Sequence, residues 1–68
     1  MESLENKRVL VIGLGQSGIA ATELLLRHRA VVLAIDDADT AQLKTEAARL
    51  RRAGATVKLG TNAVPARQ

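Results

Sequence analysis

The segment VLVIGLGQSG, residues 9–18, carries the strongest structural signal in this chain of 68 residues. Its first four residues are consecutive Val, Leu and Ile, a run typical of a strand that is buried on both faces. The next six residues follow the pattern G-x-G-x-x-G. In this pattern Gly13 allows a tight turn, Gly15 lets a phosphate approach the backbone, and Gly18 lets a helix pack closely on the strand. The segment therefore predicts a strand, a glycine-rich turn and the start of a helix.

The rest of the sequence continues the alternation of helix and strand. A helical period runs from residue 16 or 17 to about Arg29. Asp39, followed three residues later by Gln42, predicts the start of a second helix, and Gly54 predicts its end. Two further strands are predicted at residues 31–35 and 56–59. Residues 61–68 show no periodicity and are predicted to form an irregular tail.

This order, β-α-β-α-β with short connections, predicts an α/β fold with a parallel sheet. Right-handed crossovers would place both helices on one face and give the Rossmann-like strand order 3-2-1. The first two strands are apolar on both faces, but two helices can cover only one face. We therefore expect residues 1–60 to be part of a larger doubly wound sheet, with an uncovered face and a free edge at the first strand.

Composition excludes several kinds of function. The chain has no Cys, which excludes a disulfide scaffold, a thiol nucleophile and a thiolate metal site. It has no aromatic residue on which bases could stack, so the cluster of Arg49, Arg51 and Arg52 is interpreted as a solvated helix face rather than a nucleic-acid site. The apolar runs are too short for a signal peptide or a membrane span, so no membrane partner and a cytoplasmic location are expected.

Polar residues next to the glycine-rich turn are the candidate site. Asp36 ends the second strand, where Rossmann domains keep an acid for a ribose hydroxyl about 20 residues after the glycines. Asp37 is either a second site residue or a solvated loop residue. Ser17 is expected either to donate its hydroxyl to a phosphate or to cap the helix. His28, in the last turn of the helix, is assigned a structural role.

The residues GLGQSGIAA at 13–21, with LLL at 24–26, closely resemble the opening of the Mur ligases of peptidoglycan synthesis, most of all the branch that adds D-glutamate. The resemblance continues through Asp36 and Asp37 and the Ala53-Gly54-Ala55 turn to residue 60. Arg29 departs from it, because a glycine is common before the second strand. A role in cell wall biogenesis, cell shape and cell division is what the resemblance implies.

In that family the N-terminal domain is Rossmann-like and holds the UDP end of the muramoyl substrate. By likeness, the loop Leu14 to Gly18 would meet the phosphates or the sugar through backbone N–H groups at Gln16 and Ser17. The resemblance also implies that Asp36, with Asp37 beside it, lies against the uracil. The candidate substrate-binding residues are Leu14, Gly15, Gln16, Ser17, Gly18, Asp36 and Asp37, and no catalytic or metal-binding residue is expected.

The reaction implied for a full-length enzyme is ATP-dependent addition of D-glutamate to UDP-N-acetylmuramoyl-L-alanine. The ATP-binding loop, the magnesium ligands and the D-glutamate site would lie in central and C-terminal domains. The chain has no G-x-x-x-x-G-K-[ST] motif, so no cofactor is expected in it. We expect these 68 residues alone to be inactive and to self-associate through either the edge of the first strand or the uncovered sheet face.

Two alternatives to a UDP-binding part of a ligase remain. One is an NAD-binding dehydrogenase or a regulatory nucleotide-sensing domain, in which Asp36 would hold the adenosine ribose. The other is a structural fragment that binds no ligand, in which the glycine-rich turn serves only packing.

Overall fold

The computed structural model describes residues 3–61. It consists of three strands and two helices, which are β1 (Arg8–Ile12), α1 (Gln16–Arg27), β2 (Val31–Asp36), α2 (Ala41–Arg52) and β3 (Thr56–Leu59). The strands are parallel, and β2 lies between β1 and β3. The predicted Rossmann-like fold is confirmed, including the strand order 3-2-1. The predicted tail lies outside the described residues, except for Thr61.

The core lies between the sheet and the two helices, which pack on the same sheet face. Val32, Ala34 and Val57 point from the strands into this layer and are buried. Ala47 and Leu50, one turn apart on α2, are buried against them. Four of the eight buried residues in this core cluster are Ala. Neither helix within residues 3–61 is long and apolar enough to span a membrane.

Both helices end in the same backbone motif. At the end of α1 the N–H groups of Arg29 and Ala30 donate to the carbonyls of Leu26 and Leu25, 3.0 Å each. At the end of α2, Gly54 and Ala55 donate equivalently to Arg51 and Leu50. Both are Schellman motifs, in which the residue after the cap has a positive φ.

That position is Gly54 in one motif, with φ +116°, and Arg29 in the other, with φ +63°. The left-handed conformation of Arg29 ends α1 at Arg27, so the predicted end near Arg29 is wrong by about two residues. His28 is the C-cap of α1 and not a residue of its last turn.

The second helix begins one residue later than the capping pattern indicates. Thr40 is its N-cap, with extended backbone angles, and its hydroxyl accepts a hydrogen bond from the Leu43 N–H, 3.2 Å away. The predicted Asp39–Gln42 capping box is therefore wrong, because Asp39 lies before the cap.

The second face of the sheet carries exposed apolar side chains, as expected. Ile12 is 67% exposed and Val31 is 54% exposed, whereas Leu10 and Leu33 are half-buried. Ile35 is the exception on this face, since it is buried. β1 forms one edge of the described sheet.

Candidate functional site

The glycine-rich turn is shaped by close backbone contacts. Gly13 has φ +95°, which side chains other than hydrogen rarely allow, and its N–H donates to the Ile35 carbonyl of β2, 2.8 Å away. A Cβ at Gly18 would lie 1.9 Å from the Gly13 oxygen, closer than any real contact. These are the turn and packing roles that the motif predicts for the first and third glycines.

The N-terminus of α1 is open. Gly15 is the N-cap, makes no side-chain cap bond, and accepts the first helical hydrogen bond from Ile19, 2.9 Å away. The N–H groups of the residues that follow Gly15 have no carbonyl one turn earlier in the helix to bind. A Cβ built at Gly15 meets nothing within 4 Å, and Gln16 and Ser17 are exposed. Ser17 is therefore not the cap, which removes one of its two predicted roles.

Asp36 connects the glycine-rich turn to the loop after β2. Its Oδ2 accepts a hydrogen bond from the Leu14 N–H at 2.7 Å, and its Oδ1 accepts one from the Ala38 N–H at 2.9 Å. The Leu14 bond, followed by the Ala38 bond, lowers the pKa of Asp36 below its ordinary value, because both stabilise the ionised carboxylate. Asp37 is exposed.

A cleft of about 330 Å³ lies between the glycine-rich turn and the first turns of α2. It contains four of the predicted site residues, which are Leu14, Gly15, Gln16 and Asp36. Ile19, Gln42, Leu43 and Glu46 complete its lining. The three residues from α2 were not predicted, although the position of a helix directly after β2 was a usable signal.

The remaining predicted residues do not line this cleft. Asp37 lies in a smaller depression of about 180 Å³ on the other side of Asp36, with Gly13 and Thr61. Ser17 is exposed and Gly18 is half-buried in the first turn of α1.

The predicted basic cluster takes part in contacts within the molecule. The guanidinium of Arg49 donates to Glu46 on the same helix and to Glu23 on α1, the latter at 2.6 Å. These hydrogen bonds, with Glu23 first, raise the pKa of Arg49 above its ordinary value. Arg51 donates to the Val57 carbonyl at 2.7 Å. Arg49 thus joins the two helices, and Arg51 joins α2 to β3.

A groove of about 390 Å³ lies between the helices beside Arg49, and it contains no predicted site residue. The glycine-rich turn has no lysine to contact the terminal phosphates of ATP. Within residues 3–61 no three His, Asp or Glu side chains are grouped as metal ligands.

The chain is similar in sequence to several curated enzymes that share one name. The chain is 45% identical over 56 residues to the UDP-N-acetylmuramoylalanine--D-glutamate ligase of Desulfosudis oleivorans, covering 82% of this chain and 12% of that protein. It is 41% identical over 63 residues to the enzyme of the same name from Streptomyces avermitilis, covering 93% and 14%. It is 49% identical over 61 residues to the enzyme of that name from Latilactobacillus sakei, a match that covers 88% of this chain and 13% of that protein.

The chain thus spans about an eighth of the length of these curated relatives. No protein-family model matches it.

Proposed function

Because this chain belongs to the Mur ligase family over the stretch that it shares with these relatives, we propose that it binds the UDP end of the muramoyl substrate. The observation that carries the proposal is the open N-terminus of α1, which shares a cleft with the Asp36 carboxylate. A helix N-terminus offers unpaired N–H groups and a partial positive charge to phosphates. A carboxylate offers oxygen acceptors to a donor on the base.

The backbone of the glycine-rich turn holds the diphosphate in this proposal. The N–H groups of Gln16, Ser17 and Gly18 donate to phosphate oxygens, and the exposed Ser17 hydroxyl adds a further donor. Gly15 leaves space for the ligand, since a Cβ there would point into open space.

The other end of the site faces the base. Asp36 and Asp37 lie at the carboxyl end of β2, and their carboxylates are acceptors for the N3–H of uracil. Each oxygen of Asp36 already accepts one N–H, but a carboxylate oxygen has two acceptor sites, so each oxygen can accept one further donor.

For the whole protein we propose ATP-dependent addition of D-glutamate to UDP-N-acetylmuramoyl-L-alanine. ATP and magnesium would be bound by central and C-terminal domains outside these 68 residues, and the location is cytoplasmic, where ATP and UDP-linked sugars are available. Residues 3–61 contribute to the binding of the substrate at a distance from the reacting atoms. They are accordingly expected to show no ligase or ATPase turnover when purified alone.

Titration with UDP and with NAD, followed by amide NMR, tests the nucleotide proposal. UDP is expected to shift the amide signals of Gln16, Ser17 and Gly18, together with that of Asp36. The Gly15→Ala variant is the matched control, because its methyl group fills the space proposed for the phosphate. A response to NAD alone would favour a dehydrogenase-like domain, and no response to either would favour a structural fragment.

We also propose that the purified chain self-associates through the second sheet face, where Ile12 and Val31 are exposed. Sedimentation velocity of Ile12→Lys tests this, with Leu24→Lys as the control. Leu24 is 49% exposed, but it lies on α1. A wild-type chain that remains monomeric at high concentration would contradict the proposal.

A further inference from the structure

The carboxylate of Asp36 is already engaged before any ligand is considered. Its two oxygens hold the N–H of Leu14 in the glycine-rich turn and the N–H of Ala38 in the loop after β2. The Leu14 bond joins the glycine-rich turn after β1 to the last residue of β2 and is the shorter of the two, at 2.7 Å. Charge-assisted bonds of this kind are stronger than those between neutral groups.

The position of Leu14 gives this bond its effect. Leu14 lies between Gly13, which has a positive φ, and Gly15, which is the N-cap of α1. Its side chain is only 1% exposed, so the residue is held at both its side chain and its N–H. Fixing the peptide that precedes Leu14 therefore fixes the direction in which the chain enters the helix.

We propose that Asp36 is a positioning residue for the phosphate end of the site, in addition to any contact with the base. The inference rests on the proposed function, since it names the residue that orients the phosphate-binding N–H groups. Asp36 acts through Leu14. Without the bond between them the glycine-rich turn becomes more mobile, and the N–H groups at the start of α1 are no longer held in one orientation.

Coulomb's law alone predicts the opposite effect of an Asp36 substitution on phosphate affinity. Removing a negative charge beside a phosphate site would strengthen the binding of an anion. Asp37 is the control for this effect, because it is the adjacent residue, carries the same charge and is exposed. It shares a side-chain hydrogen bond with Asp36, but it accepts neither the Leu14 N–H nor the Ala38 N–H. Asp36→Asn and Asp37→Asn remove the same charge, but only the first removes an acceptor from Leu14 or Ala38.

The test uses two probes, inorganic diphosphate and UDP. Diphosphate has no base, so a residue that contacts only the base leaves its affinity unchanged. Asp36→Ala is expected to lower the affinity for both probes by about tenfold. Asp36→Asn is expected to lower it by less, because one carboxamide oxygen remains as an acceptor. Asp37→Asn is expected to leave the affinity for diphosphate unchanged or raised.

The affinities are corrected for the folded fraction of each variant, measured by circular dichroism. Loss of UDP affinity in the Asp36 variants with diphosphate affinity unchanged or raised would overturn the proposal.

A second measurement needs neither a variant nor a ligand. In the wild-type chain the amide protons of Leu14 and Ala38 should shift as pH is lowered, with one midpoint shared with the Asp36 carboxyl carbon. The amide signals of Gln16 and Ser17 should follow the same midpoint, because the turn relaxes when the bond weakens. If the amide signals of Gln16 and Ser17 do not shift with this midpoint, Asp36 does not position the turn. If the wild type binds neither probe, the proposed function fails, and this titration still decides the role of Asp36.

Discussion

Replacement of Gly18 by Ala is expected to destabilise the chain through a contact that no rotamer can relieve. The added Cβ would lie 1.9 Å from the Gly13 oxygen and 2.9 Å from the Gly13 carbonyl carbon. Both atoms are backbone, so the start of α1 and the glycine-rich turn must move apart by about 1.5 Å to reach an ordinary contact distance of 3.4 Å. That movement opposes the packing of Ile19 and Leu25 against the core.

The expected loss in the free energy of unfolding is about 1–3 kcal/mol, the usual effect of adding a methyl group to a closely packed position. The total free energy of unfolding of a chain of this length is about 3–10 kcal/mol. Gly18→Ala is therefore expected to lower the urea midpoint substantially and, near the lower limit, to leave much of the chain unfolded.

Urea denaturation followed by circular dichroism measures this loss, with Gly15→Ala as the control. Gly15 has φ −70° and open space at its Cβ position, so its replacement changes the free energy of unfolding by less than about 1 kcal/mol. Equal stability of Gly18→Ala and wild type, within about 0.5 kcal/mol, would show that the strand and helix do not approach as closely as described.

Three further outcomes are expected. Arg29→Gly should stabilise the chain by about 1 kcal/mol, because glycine adopts the left-handed conformation without strain. Gly54→Arg, at the equivalent position of the other Schellman motif, should destabilise the chain. Thermal unfolding of the two variants compares the two motifs. Thr40→Ala should cost about 1 kcal/mol in urea denaturation, and Thr40→Ser should restore most of it, because the acceptor for the helix N–H returns. The pKa of Asp36 is lowered in the folded chain, so its stabilising contribution is complete above the unfolded pKa of about 3.9 and is lost as pH falls through the lower folded value. The difference in urea midpoint between wild type and Asp36→Asn should therefore be largest near neutral pH and shrink in acid, and a difference independent of pH would contradict the hydrogen bonds of this carboxylate.

Most of the fold was predictable because its signals are local. The third strand has the predicted bounds, and the first two differ from prediction by one residue each. The exposed second face followed from the apolar pattern of the first two strands. The end of α1 was predicted about two residues late, because a left-handed Arg29 has no sequence signature comparable to that of Gly54.

The candidate site was predictable only where the chain itself brings residues together. The glycine pattern gave the turn and the helix start, and Asp36 was identified from its distance along the sequence. Its bond to Leu14 was not predicted, because it links the end of β2 to a backbone N–H in the turn after β1, 22 residues away in the sequence. The contributions of Gln42 and Glu46 to the cleft depend on how α2 packs, which the sequence pattern does not determine.

The bond between Leu14 and Asp36 also depends on the register of β1 and β2. Ile12 pairs with Ile35, which places the residues after them side by side at one edge of the sheet. Deleting one residue from β2 would move Asp36 out of reach and turn the side chains that follow to the opposite face. The glycine-rich loop grafted alone onto another scaffold would lack its partner carboxylate. The smallest transplantable unit therefore comprises β1, α1 and β2 together.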